Sequence, residues 1–322
     1  MGGGANSVMS ETQVQLDRPY RHEAMLYAGL DEFVPGAATF LREGVEAGEP
    51  ALVVVSAPKI ELLRDALGGQ TEGVMFADMT DVGLNPARII PAWRDFAAAH
   101  GRRAIRGIGE PIWAERSPVE LVECQRHESL LNVAFEGLAA LWLLCPYDTT
   151  ALPAEVVDEA RRSHPFVARG EVRESSGHYR GTDAGAAPFE VALLEPTSVS
   201  GEAAFDAASL AAVRAQVARL AARAGLGPSR VADFTMAVNE VATNSVIHGG
   251  GQGTLRTWLD HDAVVAEVRD SGVIADPLAG RHRPDNGIDA GRGLWLANAL
   301  CDLVQVRALS PGTVVRLHMR RP

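Results

Sequence analysis

The sequence predicts an α/β chain of two domains, a parallel-sheet domain followed by an α+β sandwich. The length of 322 residues suits two domains at about 100–200 residues each. The first half alternates short apolar strand segments with helical ones, as a parallel sheet covered by helices requires. The second half groups two long helices with strands that alternate apolar and polar residues. Residues 170–187 are rich in glycine, serine and charge, and they predict a linker between the halves.

The first domain is predicted over residues 18–169, after a disordered leader of residues 1–17. One predicted helix ends at Leu67, and a second runs from Asn85 through Ala99. A third runs from Ser117 to about Asn132, and a fourth follows Pro153. The helix at Ser117 begins with a capping box, because glutamate follows three residues later and proline occupies the first helical position. The predicted strands are ALVVVS from Ala51, VMFADM around Phe76, RAIRGIG from Arg103 and GLAALWLLC from Gly137. The last of these is apolar on both faces, which is typical of a central parallel strand.

The second domain is predicted over residues 188–322 and begins with two helices. The first runs over 206–224 and the second from Pro228 to about His248. Two strands follow, TLRTWLD with Leu255, Thr257 and Leu259 on one face, and AVVAEVRD with Val264, Ala266 and Val268 on one face. A loop over 273–292, a helix over 293–302 and a final hairpin of VQVRA and TVVRLHM complete the α+β sandwich.

Composition excludes several classes of function. A net charge of -11 argues against a broad nucleic-acid-binding face. No apolar run approaches the roughly 18 residues of a membrane span, and the first residues lack the apolar core of a signal peptide. Cys124, Cys145 and Cys301 are odd in number and widely spaced, which argues against a disulfide framework and against a zinc site. These features predict a cytoplasmic protein and leave a homodimer open.

Chemistry is concentrated on the second helix of the second domain. Glu240 and Asn244 are four residues apart and therefore share one helix face. Val231, Phe234 and Val238 lie on another face and suit the core. A carboxylate beside an amide oxygen suits Mg²⁺, a hard cation that keeps waters and phosphate oxygens as its other ligands. A solvated helix face would present the same pair, so the neighbouring motifs decide between the two interpretations.

Two glycine-containing loops complete the pattern. Asp270 ends a strand, and its carboxylate can accept a hydrogen bond from an exocyclic amine such as that of adenine. Gly272 lets the backbone approach a flat ring. Gly291 and Gly293 flank Arg292 directly before a helix, whose N-terminus can receive phosphate while the arginine adds charge-assisted bonds. Three motifs in this order predict an ATP site with magnesium.

This half resembles the GHKL (Bergerat-fold) ATPases, and among them the anti-sigma-factor serine kinases. NEVATNSVIHG from Asn239 matches the N-box, DSG from Asp270 the first glycine box and GRGLWL from Gly291 the second. The resemblance implies that Asn244 ligands magnesium and that Glu240 is the general base for a partner serine. The nucleotide-binding residues that it implies are Asn244, His248, Asp270, Gly272, Gly291, Arg292 and Gly293. The implied partners are an anti-anti-sigma protein of the STAS fold and a sigma factor.

Two alternative functions stay open. The first glycine box of the family usually has glycine at the position held here by Ile274, which favours an adaptor that binds nucleotide and partner without transferring phosphate. A sensor histidine kinase would need a helical hairpin with a phosphoacceptor histidine before the ATPase domain. The only histidine near the linker, His178, lies in a glycine-rich stretch without helical periodicity.

The first domain is similar to the MEDS sensory domain. The match rests on HEAMLY from His22, the GEPIW segment from Gly109, and Glu128. The resemblance implies an α/β fold like that of P-loop proteins but without the loop, and the only lysine, Lys59, is in no phosphate-binding motif. The candidate residues for a small-molecule signal are His22, Arg106, Glu110, Trp113, His127 and Glu128. Arg106, Glu110 and Trp113 are expected to line a crevice at the carboxyl end of a strand, whereas a helix-surface role for His127 and a core role for Trp113 are the alternatives.

Overall fold

The computed structural model describes residues 20–137, 140–284, 291–309 and 311–322. The predicted leader, residues 1–17, lies outside these ranges. The chain divides into two compact units. The first comprises the described residues up to 81, 93–115 and 131–182, and the second comprises 82–92, 116–130 and 183–322. No helix within the described ranges is long and apolar enough to cross a membrane.

The first unit is built on a seven-stranded sheet in the order β3-β2-β4-β5-β1-β6-β7. All neighbouring strands are parallel except β6 and β7, which confirms the predicted parallel-sheet fold. The strands are β1 (Arg21–Tyr27), β2 (Ala51–Val55), β3 (Val74–Asp78), β4 (Ile105–Gly109), β5 (Leu141–Asp148), β6 (Phe166–Arg169) and β7 (Val172–Ser175).

Helices alternate with these strands along the chain. They are α1 (Leu30–Glu46), α2 (Ala57–Leu67), α3 (Met79–Gly83), α4 (Ile89–His100), α5 (Pro118–Phe135) and α6 (Ala154–Ser163). Phe33, Leu41 and Leu63 from α1 and α2 form one buried cluster with Val53 and Val55 of β2. Burial of these side chains stabilises the unit by about 25 cal/mol per Å² of apolar surface removed from water.

The capping box predicted at the start of α5 is present. The backbone N–H of Ser117 donates to Glu120 Oε2 at 3.0 Å, and the Glu120 N–H points back to Ser117 Oγ at 3.4 Å. These two bonds satisfy donors that have no partner within the helix. They fix the first turn of a helix that runs without interruption to Phe135 and carries His127 and Glu128.

The second unit has a five-stranded antiparallel sheet in the order β11-β12-β10-β9-β8, as the predicted α+β sandwich requires. Its strands are β8 (Gly201–Asp206), β9 (Gln252–Leu259), β10 (Ala263–Asp270), β11 (Leu303–Ala308) and β12 (Thr313–Arg320). Its further helices are α7 (Leu210–Arg223), α8 (Pro228–His248) and α9 (Arg292–Leu300). Phe234 and Val238 of α8 share one core with Val264, Ala266 and Val268 of β10, on the face predicted.

The structure adds four strands that the sequence pattern did not predict, β1, β6, β7 and β8. β1 contains His22 and Glu23, two polar residues that are fully buried, and β8 lacks the β-branched residues that mark strands. β7 lies inside the stretch predicted as a linker. Leu259, predicted to share one face of its strand with Leu255 and Thr257, is 41% exposed at the end of β9, whereas the other two are buried. The exact domain boundaries stay a prediction.

Candidate functional site

The end of α8 opens onto a cavity of about 260 Å³ in the second unit. Its wall is formed by α8, the end of β10, the loop that follows β10, the start of α9 and β12. The lining residues are Val241, Asn244, His248, Gly249, Asp270, Gly272, Val273, Ile274, Ala279, Gly291, Leu294, Thr313 and Val315. The cavity therefore brings together five of the residues that the sequence predicts for nucleotide binding, namely Asn244, His248, Asp270, Gly272 and Gly291.

Asp270 is held in place by two hydrogen bonds, one to each carboxylate oxygen. Ser245 Oγ, on α8, donates to Oδ2 at 2.6 Å, and the N–H of Gly272 donates to Oδ1 at 2.8 Å. A carboxylate oxygen accepts more than one hydrogen bond, so both oxygens can still receive an amino group. The side chain is half-buried. Asp270 is thus oriented at the cavity wall as an acceptor, the chemistry that recognition of an adenine amine requires.

Two glycines allow the elements around the cavity to approach closely. A Cβ atom at Gly272 would lie 2.9 Å from the carbonyl oxygen of His248. A Cβ atom at Gly293 would lie 2.6 Å from Asn244 Nδ2. Any larger residue at either position would push the neighbouring group aside, because real Cβ contacts are longer than these. The glycine at 293 therefore fixes α9 against the amide of Asn244.

The N-terminus of α9 forms one side of the cavity. Gly291, the residue before the helix, has φ 86° and ψ -9°, in the left-handed region that glycine adopts without strain. The first N–H groups of a helix have no acceptor within the helix and carry partial positive charge. Because Gly291 also lines the cavity, these groups suit an anionic phosphate. Arg292 is exposed and Gly293 is buried.

Glu240 lies one helical turn before Asn244 and is half-buried. It is not among the residues that line the cavity. Ile274, at the position where the family has glycine, lines the cavity and packs against the core of the unit. No described residue other than glycine has a positive φ, so Ile274 is accommodated without backbone strain. Ser245 and Thr313 also belong to the site and were not predicted; Thr313 Oγ1 donates to the carbonyl of Gly272 at 2.8 Å.

In the first unit, Glu110 lies directly beyond the carboxyl end of β4 and is 5% exposed. Lys59 Nζ contacts Glu110 Oε1 at 2.6 Å and Oε2 at 2.7 Å, and it donates to Tyr27 Oη at 2.6 Å. Tyr27 Oη in turn donates to Glu110 Oε1 at 2.6 Å. Burial raises the pKa of the Tyr27 hydroxyl, and the Glu110 charge adds to this. Burial also raises the pKa of Glu110, against the opposing effect of Lys59.

Arg106 does not join Glu110. It lies near the amino end of β4, where Nε donates to Glu49 Oε2 at 2.6 Å and the guanidinium stacks 4.9 Å from the ring of Trp142. A cavity of about 370 Å³ opens there, lined by Arg106, Glu49 and Trp142. The expectation of one crevice shared by Arg106 and Glu110 is wrong, because four residues of extended strand separate the two side chains by about 13 Å. Trp113 is half-buried.

His22 lies in a fully buried group of the first unit with Cys145 and His164. His22 Nε2 lies 3.3 Å from Cys145 Sγ, and the rings of His22 and His164 have centroids 4.0 Å apart. Glu128 and His127 on α5 are each 1% exposed, so His127 does not lie on the helix surface. No pattern in the sequence marks Cys145 and His164, because they meet His22 only when three separate elements pack. Lys59 was also missed; an isolated lysine in an arginine-rich chain was the available signal.

Comparison with known proteins agrees with the two resemblances predicted from sequence. Residues 21–165 match the family model described as MEDS: MEthanogen/methylotroph, DcmR Sensory domain. Residues 203–319 match the histidine kinase-like ATPase domain. The chain thus joins a MEDS region to an ATPase region of the histidine kinase-like type, and the second region implies nucleotide binding.

A solved structure similar to part of the chain contains the RsbU and RsbW domains of Rv1364c from Mycobacterium tuberculosis. The similarity has 25% sequence identity and a TM-score of 0.29, over 38% of this chain. This chain matches about a third, 34%, of that chain. None of the curated proteins compared with the sequence matches it.

Proposed function

We propose that this protein is an ATP-binding anti-sigma regulatory factor of the serine kinase type, controlled by the MEDS region. In this proposal the second unit phosphorylates an anti-anti-sigma partner of the STAS fold and thereby governs the release of a sigma factor in the cytoplasm. The observation that carries the proposal is the single cavity lined by Asn244, His248, Asp270, Gly272 and Gly291. These residues come from three sequence motifs that are up to 47 residues apart.

The side chains around the cavity fit a nucleotide with magnesium. Asp270 supplies an oriented acceptor for the base, and the N-terminus of α9 supplies N–H groups for the phosphates. Asn244 offers one amide oxygen, and Glu240 one carboxylate a turn away. Mg²⁺ prefers few protein ligands and completes its coordination with phosphate oxygens and water, so this sparse donor set suits it. When bound, Mg²⁺ would neutralise charge on the phosphates.

Glu240 is the proposed general base. In the transfer step a bond forms between the partner serine oxygen and the γ-phosphorus, while the bond from that phosphorus to the ADP oxygen breaks. The serine proton passes to the carboxylate of Glu240. A serine hydroxyl is a poor nucleophile at neutral pH, and a positioned base contributes on the order of 10²–10⁴-fold to such a step. The half-buried side chain remains accessible to a docking partner.

The second candidate function is an adaptor that binds nucleotide and partner without transferring phosphate. The position of Glu240 outside the cavity lining favours it. A histidine kinase has no such support, because His178 lies in a turn after β7 and in no helix. Transfer of phosphate separates the kinase from the adaptor, since both bind Mg-ATP.

The decisive variant is Glu240→Gln, which keeps the shape of the side chain and removes the base. We expect unchanged Mg-ATP affinity and at least roughly hundredfold slower transfer of γ-phosphate to a STAS-domain partner. The matched control is Glu202→Gln, on the exposed surface of β8 in the same unit. Transfer is followed with radiolabelled ATP, and affinity by calorimetry on the same preparations. Equal transfer rates would remove Glu240 as the base, and a wild-type protein that binds ATP but transfers nothing would favour the adaptor.

A further inference from the structure

A larger cavity, of about 410 Å³, lies within the second unit, to which all of its lining residues belong. Aliphatic side chains such as Val304 and Val306 of β11 form part of its wall, and none of the described residues that line it is aromatic. Its lining has only Ile274 and Ala279 in common with that of the nucleotide cavity. The volume is in the range of about 300–1,000 Å³ that is typical of small-molecule sites.

A buried cation lines this cavity. Arg281 is 4% exposed, and its Nη1 donates to the carbonyl oxygen of Pro86 at 3.4 Å. Among the described residues, its guanidinium makes no other hydrogen bond and no ion pair. Burial of a charge without a partner of opposite charge carries a large free-energy cost. Burial lowers the pKa of Arg281 to about 9, and repulsion by Arg126 lowers it further, yet the group stays charged at neutral pH.

Two neighbouring arginines differ from Arg281 because each has a carboxylate partner. Nε and Nη2 of Arg126 both donate to Glu190 Oε1, at 2.9 and 2.7 Å. Arg307 forms an ion pair with Glu123 in which both side chains are buried. These pairs neutralise the charges of Arg126 and Arg307. The positive charge of Arg281 is therefore the one that an anion in the cavity would neutralise.

The acidic residues of the wall limit which anion fits. Asp183 and Asp276 line the cavity, and both are exposed, so they lie where it opens to solvent. Arg281 is buried, so it lies away from the opening. An anion with one negative charge can reach the guanidinium, whereas a second charge near the opening would be repelled by the two aspartates. This arrangement favours a monoanion over phosphate or a dicarboxylate.

We infer that this cavity binds a small aliphatic monocarboxylate. Its carboxylate would pair with Arg281, because the planar guanidinium fork matches the two oxygens of a carboxylate. Its hydrocarbon chain would lie against the aliphatic part of the wall. Arg281 does not line the nucleotide cavity, so the inferred site is separate from the proposed nucleotide site and does not depend on it.

The test is calorimetric titration of the full-length chain with hexanoate near neutral pH and without nucleotide. Two probes of the same chain length serve as controls, because 1-hexanol has no charge and adipate has a second carboxylate. We expect saturable binding of one hexanoate per chain, at least roughly tenfold tighter than that of 1-hexanol, since a charge-assisted hydrogen bond is lost with the alcohol. Adipate should bind more weakly than hexanoate, because its second carboxylate meets Asp183 and Asp276.

Variants of Arg281 separate a binding role from a structural one. Arg281→Met removes the charge and keeps an unbranched side chain, so the preference for hexanoate over 1-hexanol should disappear. The thermal midpoint of this variant without ligand should equal or exceed that of the wild type, because an unpaired buried charge is removed. Arg281→Lys keeps the charge without the planar fork and should retain part of the preference. Arg219→Met, at an exposed position of α7, is the matched control and should change neither result.

Three outcomes would overturn the site. The first is a wild-type protein that binds no hexanoate at millimolar concentration, and the second is one that binds 1-hexanol as tightly. Both measurements use the wild type alone, so they decide the question even if Arg281→Met fails to fold. The third is a folded Arg281→Met variant that still prefers hexanoate, which would place the carboxylate elsewhere. Nucleotide is absent from every titration, so failure of the proposed ATP site would not affect these results.

Discussion

The two clusters of chemically active residues in this chain differ in how sequence brings them together. The nucleotide cavity is assembled from short motifs, each of which has its own helix end or loop, and it opens to solvent. The group of His22, Cys145 and His164 in the first unit is assembled from residues far apart in the sequence and is fully buried. An open site built from local motifs can change its affinity with little change in stability. A buried group that forms only in the complete fold contributes its interactions to the free energy of folding.

The largest effect should come from the buried group. His22→Ala removes a ring that is 0% exposed, together with its bonds to Asn132 and Cys145. We expect the free energy of unfolding to fall by about 3 kcal/mol or more, because a cavity and an unsatisfied amide are left in the core. Mg-ATP affinity should not change. His178→Ala, at an exposed position of the same unit, is the control.

Denaturant titration gives the stability and calorimetry gives the affinity. A variant as stable as the wild type would remove the link between this group and folding. A large loss of ATP affinity in a folded variant would show that the buried group and the nucleotide cavity are not independent.

A second effect concerns acid. Burial lowers the pKa of His318, on β12, to about 4, so the unfolded chain with its ordinary value near 6.5 binds the proton more readily. The contribution of His318 to the free energy of unfolding is therefore fully present above pH 6.5 and is lost as the pH falls towards 4. The loss should be at most about 3 kcal/mol, because the residue is half-buried and solvent screens part of its charge.

His318→Asn should flatten the decrease in stability between pH 6.5 and 4, whereas His261→Asn, in the exposed turn before β10, should not. Denaturant unfolding measured at several pH values in this range tests the difference. Identical pH profiles for the wild type and His318→Asn would show that other groups account for the acid sensitivity.

The smallest effect should come from the nucleotide cavity. Gly293→Ala places a Cβ atom 2.6 Å from Asn244 Nδ2 and must displace that amide. Strain of about 1.4 kcal/mol, near the lower end for an overpacked site, corresponds to roughly tenfold weaker Mg-ATP binding. Gly227→Ala is the matched control, because its added Cβ would meet nothing within 4 Å and its φ is -65°. Calorimetry that finds equal affinities for the two variants would contradict the role of the glycine.

Local pattern predicted the nucleotide region well, for identifiable reasons. Helical periodicity places Glu240 and Asn244 on one face of α8 whatever the rest of the chain does. The end of β10 and the start of α9 were marked by glycines at Gly272 and Gly291, whose conformations and close contacts only glycine tolerates. Of the five predicted nucleotide-binding residues that line the cavity, Asn244, Asp270, Gly272 and Gly291 follow from these short-range signals, and His248 follows from the resemblance to the N-box.

Long-range packing explains what the sequence could not show. β1 is a buried strand that contains His22 and Glu23, and it lacks the alternation of apolar and polar residues that predicts a strand. The widely spaced cysteines gave no metal motif, because Cys145 meets its neighbours only after β1 pairs with β5. Arg106 and Glu110 are near in sequence, yet they lie at opposite ends of the extended strand β4.

The central claim is that the cavity at the end of α8 binds Mg-ATP, and calorimetric titration of the full-length chain tests it most directly. We expect saturable binding of Mg-ATP by the wild type. Asn244→Ala should bind more weakly and should lose most of the dependence on magnesium, because one oxygen ligand is removed. No heat and no rise in thermal midpoint at millimolar nucleotide for the wild type would contradict the claim, as would an Asn244→Ala variant that binds with the same affinity and the same magnesium dependence.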